Sequence, residues 1–130
     1  MLQPTSPLRR ASHVSDCIAM LAGGDWDAVW TVSPTDSKEH PLKQLTVNGE
    51  SGSMDYYDPR GGEIIARQQL TPVYHRNGVA YAITRSCLLE QQTIKGARTG
   101  ALVIDEPMIS IDTLWDLDLA EYLADRRDGS

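Results

Sequence analysis

Apolar residues recur at regular spacings along the chain, and these spacings predict where helices and strands form. From about His13 to Ala22 they fall three and four positions apart, which is typical of a helix with one buried face. Ser12 stands where a helix cap is expected, and Gly23 and Gly24 follow where the helix should end. We therefore predict a first helix over this segment.

Short runs rich in β-branched and aromatic residues predict strands. These runs cover residues 28–32, 42–47, 79–84 and 101–104. Residues 49–63 carry many Gly, Ser, Asp and Tyr residues without a clear period, which predicts a loop or an excursion from the main layer. Asn77-Gly78 predicts a turn. Because strands and helices alternate, we expect one small α/β domain.

The last predicted helix begins at Thr113. Asp116 follows three positions later, as in a capping box, where two side chains reciprocally satisfy backbone N–H groups. Its core side is expected to carry Trp115, Leu119, Tyr122 and Leu123.

Composition narrows the classes of function. The net charge of −6 over 130 residues argues against a nucleic-acid binder, because such proteins need a positive field to displace counterions. No apolar run is long enough to span a membrane, and no signal peptide is visible at the N-terminus. Cys17 and Cys87 lie far apart without metal-ligand spacing, so we expect reduced thiols in a cytoplasmic protein. The three histidines are expected at the surface or in turns.

Four short segments combine turn residues with charged and amide side chains. They are 2–9 (LQPTSPLR), the weaker piece 40–43 (HPLK), 66–70 (ARQQL) running on to 76–81 (RNGVAY), and 111–113 (IDT, with Asp116 and 119–121 following). In this order they resemble the acylneuraminate cytidylyltransferase family, the CMP-N-acetylneuraminic acid synthetases, over residues 2 to about 123. Only the C-terminal portion of the family pattern is matched, because the family's glycine, serine and lysine phosphate loop has no counterpart here.

The resemblance implies a Rossmann-like nucleotidyltransferase fold with an inserted dimerisation segment. Residues 1–130 would form the C-terminal part of a single cytidylyltransferase domain, with a dimerisation and sugar-site excursion at about 40–76. The implied reaction transfers CMP from CTP to an acidic nonulosonic sugar of the N-acetylneuraminate type, releasing pyrophosphate, with Mg²⁺ and as a homodimer. Ketodeoxynonulosonate or ketodeoxyoctonate is the alternative sugar. The competing hypothesis is an inactive truncated remnant that acts as a dimerising or ligand-binding module. The isolated chain is expected to be inactive.

The resemblance also implies which residues form the site. Arg67 and Arg76 would act in catalysis, because a guanidinium binds carboxylate or phosphate oxygens bidentately. Asp112 would be catalytic and would ligate Mg²⁺, although Ser110 replaces a second aspartate that many relatives carry. Lys43 would reach the partner subunit's sugar site. The substrate-binding residues would be Gln3, Arg9, Lys43, Gln68 and Asn77.

Overall fold

The computed structural model describes residues 1–63 and 70–128 and has an α/β architecture. The helices are α1 (Ala11–Gly23), α2 (Arg85–Leu89) and α3 (Leu114–Asp128). The strands are β1 (Ala28–Pro34), β2 (Leu45–Val47), β3 (Met54–Tyr56), β4 (Tyr74–Ile83) and β5 (Thr99–Val103). Short 3₁₀ turns occupy Ser37–Glu39, Pro41–Lys43 and Pro59–Glu63. The α/β prediction is confirmed, and the mixed sheet is compatible with a Rossmann-like fold.

Two compact units divide the chain. The core unit comprises Met1–Ser33 and the chain from His75 onward, and the second unit is Pro34–Tyr74. In the core unit the strand order is β4-β1-β5, and β1 runs parallel to β5. The helix α1 covers one face of this sheet. The small hydrophobic core between them contains Cys17, Val29, Ala80 and Ala82.

The predicted first helix is confirmed, but its cap differs from the prediction. The helix begins at Ala11, two residues before the predicted start at about His13, and ends at Gly23. The backbone N–H of Arg10 donates to Nδ1 of His13 over 3.1 Å, so a histidine supplies the capping acceptor. Ser12 lies inside the helix, and its predicted capping role is wrong.

The strand β4 is longer than predicted and contains a kink. Asn77-Gly78 lies within the strand and does not form a turn before it. Gly78 has φ +71°, in the left-handed region that glycine adopts without strain. A left-handed residue inside a strand is typical of a β-bulge, which shifts the alternation of side chains by one position. Asn77 consequently faces Thr31 on the α1 side of the sheet, whereas Arg76 lies over Trp30 of the neighbouring strand.

The N-terminal residues extend the sheet beyond β4. Met1 and Tyr81 exchange backbone hydrogen bonds of 2.7 and 3.0 Å, the reciprocal pattern of an antiparallel pair. Gln3 N–H donates to the carbonyl of Gly78 over 3.3 Å. The first residues of the chain are therefore paired along the side of β4 that faces away from β1.

The second unit contains a two-stranded antiparallel hairpin, β2-β3. Leu45 lies opposite Tyr56, and Val47 lies opposite Met54. Asn48 closes the connection, because its Oδ1 accepts the backbone N–H groups of two following residues over 2.9 and 3.0 Å. Residues 49–63, predicted as a loop or an excursion from the main layer, contain β3 and a 3₁₀ turn and belong to this second unit.

Side-chain burial departs from the prediction in two places. Trp115 and Tyr122 are 75% and 54% exposed, because α3 turns Ala120 towards the core. His13 and His40 are buried, and each uses both ring nitrogens in hydrogen bonds. The prediction of a surface or turn position is wrong for His13, which is buried in α1. His40 does precede a 3₁₀ turn, but it is buried there, and its hydrogen bonds offset the loss of water. Within residues 1–63 and 70–128, every helix is too short or too polar to cross a membrane.

Candidate functional site

Three of the segments that carry the family resemblance meet in the core unit. The segment 2–9 contacts 76–81 through the hydrogen bond from Gln3 N–H to the Gly78 carbonyl. It also contacts the segment around Asp112, because Ile111 N–H donates to the carbonyl of Thr5 over 2.9 Å. The hydroxyls of Thr5 and Ser110 lie 3.2 Å apart. Segments remote in sequence thus form one continuous surface.

Arg9 uses its guanidinium to hold this surface together. Its Nε donates to the carbonyl of Val79 over 2.6 Å, and its Nη2 donates to the carbonyls of Gln3 and Gly78. These are backbone acceptors on two different segments. Charge-assisted hydrogen bonds of this kind are stronger than neutral ones. Arg9 therefore links the N-terminal segment to β4 through these hydrogen bonds. Its predicted contact with substrate stays a prediction.

Asn77 is buried, with 6% exposure, and its side-chain amide is bonded inside the protein. Its Oδ1 accepts the Thr31 hydroxyl over 2.8 Å and the Val79 N–H over 3.1 Å. Its Nδ2 donates to the Ser33 hydroxyl over 3.0 Å. Both ends of the amide therefore connect β4 to β1. The structure shows that Asn77 has a structural role, and its predicted role in binding substrate stays a prediction.

Gln3 lies directly against the kink in β4. A Cβ at Gly78 would displace the end of the flexible Gln3 side chain, whereas the positive φ of Gly78 is what favours glycine there. Gln3 itself is exposed. Its amide consequently lies at the surface beside the strand, where a ligand hydroxyl could reach it.

Arg76, in the core unit, is placed beside an aromatic ring. It is exposed, and its guanidinium carbon lies 5.7 Å from the centroid of the Trp30 ring. Within residues 1–63 and 70–128, no carboxylate forms an ion pair with it. Other arginines do pair with carboxylates: Arg10, Arg60, Arg98 and Arg127. Arg76 therefore keeps its N–H donors available for an anion.

The predicted magnesium site rests on one carboxylate. Asp112 is exposed, and no hydrogen bond to its carboxylate occurs in the described part of the chain. Asp116 is committed to the helix cap, since its Oδ2 accepts from Asp112 N–H and from the N–H and hydroxyl of Thr113. No cluster of three or more His, Cys, Asp or Glu residues occurs among residues 1–63 and 70–128. One carboxylate fits Mg²⁺ only where substrate phosphates and waters complete the coordination.

The predicted capping box is confirmed, and it gives an expected pH dependence. Hydrogen bonds from Thr113 and Asp112 lower the pKa of Asp116. A folded-state pKa below the unfolded value contributes stability above the unfolded pKa, and this is lost as pH falls through the folded pKa. We expect Asp116→Asn to lower the urea midpoint at pH 7 and to lower it less at pH 3. Asp118→Asn on the same helix is the control. An equal loss at both pH values would contradict the pKa argument.

Lys43, Arg67 and Gln68 complete the set of predicted site residues. Lys43 is an exposed residue of the second unit, at the edge of a hollow of about 360 Å³ lined also by Leu45, Met54 and Tyr56. Arg67 and Gln68 lie outside the described residues. The predicted roles of all three, and of the excursion at about 40–76, stay predictions.

Sequence reasoning missed a cluster around Glu106. Its carboxylate lies 3.2 Å from Arg10, 3.4 Å from Arg127 and 2.5 Å from Nε2 of His13. Because Nδ1 of His13 accepts the Arg10 N–H, the proton of the neutral ring is on Nε2 and points at Glu106. The cluster joins the start of α1, the segment after β5 and the end of α3. No spacing in the sequence signals contacts so distant along the chain.

Comparison with known proteins supports the resemblance inferred from the segments. The chain is 29% identical over 114 residues to the N-acylneuraminate cytidylyltransferase of Streptococcus agalactiae serotype V. It is 28% identical over the same length to the proteins of that name from Streptococcus agalactiae serotypes III and Ia. No protein-family model matches the chain.

The similarity is extensive for this chain and partial for its relatives. It covers 87% of the chain and 27% of each of these three proteins. The chain thus spans about a quarter of the length of the curated relatives it matches, which agrees with the resemblance to a C-terminal portion.

Proposed function

We propose that this chain forms the acidic-sugar side of a nucleotidyltransferase that transfers CMP from CTP to an N-acetylneuraminate-type sugar. The observation that carries the proposal is Arg76, an exposed arginine without a carboxylate partner among the described residues. It lies on β4, where the three matched segments of the core unit meet. Support also comes from relatives named N-acylneuraminate cytidylyltransferase that match most of the chain.

In the proposed reaction, the anomeric hydroxyl of the sugar attacks the α-phosphate of CTP in line and pyrophosphate leaves. Such transfers depend mainly on positioning and on neutralising charge. Arg76 binds an anionic group of the substrates, and Gln3 orients the sugar through its exposed amide. Asp112 holds Mg²⁺, which when bound neutralises charge on phosphate oxygens. Arg67 and Lys43 add further cations in the same proposal.

A second candidate function is ligand binding without catalysis. It is favoured by the predicted magnesium site, where Asp112 supplies the one carboxylate found among the described residues. Ketodeoxynonulosonate and ketodeoxyoctonate are alternative ligands, because each also carries the carboxylate that Arg76 would bind.

One experiment separates these functions. A chimera is made in which this chain replaces the matched 114-residue segment of the Streptococcus agalactiae serotype V enzyme. With CTP, Mg²⁺ and N-acetylneuraminate, the chimera is expected to release pyrophosphate and form the CMP-sugar, whereas the isolated chain only binds the sugar. An inactive but folded chimera would favour the binding module. A chain that binds none of the three sugars would contradict both functions.

Self-association is proposed through the apolar face of the hairpin β2-β3. Leu45, Val47, Met54 and Tyr56 alternate with polar residues, share one face and are exposed. An isolated two-stranded hairpin is marginally stable in water, so this face gains stability when another surface covers it.

We expect Val47→Lys with Met54→Lys to convert a dimer into a monomer in sedimentation velocity, because two charges would be buried in the interface. Thr46→Lys, on the polar face of the same hairpin, is the matched control and is expected to leave the dimer intact. A wild-type chain that stays monomeric at high concentration would contradict the dimer.

A further inference from the structure

Arg76 lies over an aromatic ring of the neighbouring strand. Its guanidinium carbon is 5.7 Å from the centroid of Trp30, within the range of a cation–π interaction. Arg76 is exposed, and an exposed arginine ordinarily samples many rotamers, whose loss on binding a ligand costs free energy. A ring beneath the guanidinium reduces that loss, because it restricts the side chain before the ligand arrives.

Trp30 is itself held on two sides. Its Nε1–H donates to the carbonyl of Ile94 over 2.9 Å. Its ring meets Tyr81 edge to face, with centroids 5.3 Å apart and an interplanar angle of 80°. Tyr81 is only 4% exposed, so the edge against Trp30 belongs to a packed side chain. The indole therefore has one defined orientation.

The kink at Gly78 places Arg76 on the face of the sheet that carries Trp30. With regular alternation Arg76 would share the face of Ala80, which belongs to the core beneath α1. The left-handed residue shifts the alternation, so that Asn77 takes the core face. Bulges of this kind re-aim side chains beside functional sites.

We infer that Trp30 is the positioning residue for Arg76, holding its guanidinium in one place with its N–H donors available to an anionic ligand. This inference rests on the proposed function of Arg76. A guanidinium over a ring interacts through its face, while its N–H groups lie in its plane and remain available to a carboxylate or a phosphate. Trp30 contributes to affinity through Arg76 and makes no contact with the ligand in this assignment.

The positioning is tested without any ligand by NMR of the ¹⁵N-labelled chain. The Nε–H signal of Arg76, assigned by its disappearance in Arg76→Lys, is expected upfield of other arginine signals because of the Trp30 ring current. Trp30→Leu should move it downfield, and Trp30→Phe should preserve part of the shift. Trp115→Leu removes an exposed tryptophan of the same unit and should leave the signal unchanged. A signal that Trp30→Leu does not move would overturn the inference.

The functional consequence is tested by titrating N-acetylneuraminate into the same chains. Trp30→Leu is expected to raise the Kd about two- to fivefold, the range of an exposed cation–π interaction. Trp30→Phe should restore most of the affinity and, having a smaller change in volume, controls for folding. In the Arg76→Ala background, Trp30→Leu should have no further effect. An equal loss in both backgrounds would show that Trp30 acts independently of Arg76, and the inference would be wrong.

Failure of the proposed function gives a different result. If Arg76→Ala leaves the Kd for N-acetylneuraminate unchanged, Arg76 does not bind this ligand and its proposed role is wrong. The Nε–H signal then still decides whether Trp30 positions Arg76. The Kd titration thus tests whether Arg76 binds the ligand, and the NMR signal separately tests whether Trp30 positions Arg76.

Discussion

Replacement of Asn77 by alanine is expected to lower the free energy of unfolding by about 1–3 kcal/mol, the range for leaving a buried polar group without its partner. The Asn77 Oδ1 accepts the backbone N–H of Val79, and Val79 is fully buried. Without the amide this buried N–H loses the acceptor that residue 77 supplies. The Ser33 hydroxyl loses its Nδ2 donor as well.

The measurement is urea unfolding followed by tryptophan fluorescence. Asn48→Ala is the matched control, because Asn48 also accepts two backbone N–H groups through Oδ1 but is exposed. Water replaces those bonds, so we expect a loss of about 1 kcal/mol or less for Asn48→Ala. Equal losses for the two variants would contradict the assignment of Asn77 as a structural amide, and would reopen its predicted contact with substrate.

In the active chimera, Arg76→Lys is expected to lower kcat/KM for CMP transfer about ten- to hundredfold, which corresponds to about 1.5–3 kcal/mol for charge-assisted hydrogen bonds. Lysine keeps the positive charge but loses the bidentate fork. Arg85 is also an exposed arginine of the core unit, and Arg85→Lys is expected to leave kcat/KM unchanged. Equal rates for Arg76→Lys and the unmodified chimera would remove Arg76 from the proposed site.

The role of Asp112 is measured in the same chimera by titrating Mg²⁺. Asp112→Asn should raise the Mg²⁺ concentration at half-maximal rate, since the variant loses the single available carboxylate. Ser110→Asp supplies a second carboxylate two residues away and should lower that concentration. If Asp112→Asn changes neither the rate nor the Mg²⁺ requirement, the proposed role of Asp112 as a Mg²⁺ ligand is wrong. Its remaining contact is then the hydrogen bond from its backbone N–H to Asp116 at the start of α3.

Local features of the fold were predictable because they depend on neighbouring residues. The α1 helix, its end at Gly23 and the capping box of Thr113 with Asp116 all follow from spacing within one or two turns. The strands β1 and β5 were recognised because each is a short β-branched or apolar run buried on at least one side. These elements suffice for the α/β class.

The sequence also carried the family resemblance, through short segments that follow one another in the order seen in the family. Relatives of that name match 87% of the chain. The order of those segments did not predict which contacts their side chains make. Arg9 and Asn77 were predicted as substrate ligands, yet their side chains bond to the backbone and to buried hydroxyls of the same unit.

Tertiary structure alone decided which charged and aromatic groups meet. The pair Asn77-Gly78 predicts a turn in sequence, because a positive φ is common to turns and bulges, and only pairing with β1 and the N-terminal segment distinguishes them. The placement of Arg76 over Trp30 depends on that bulge and joins two residues that are distant along the chain. Local propensity therefore determined the elements, whereas the chemistry of the site depends on contacts that exist only once the strands are side by side.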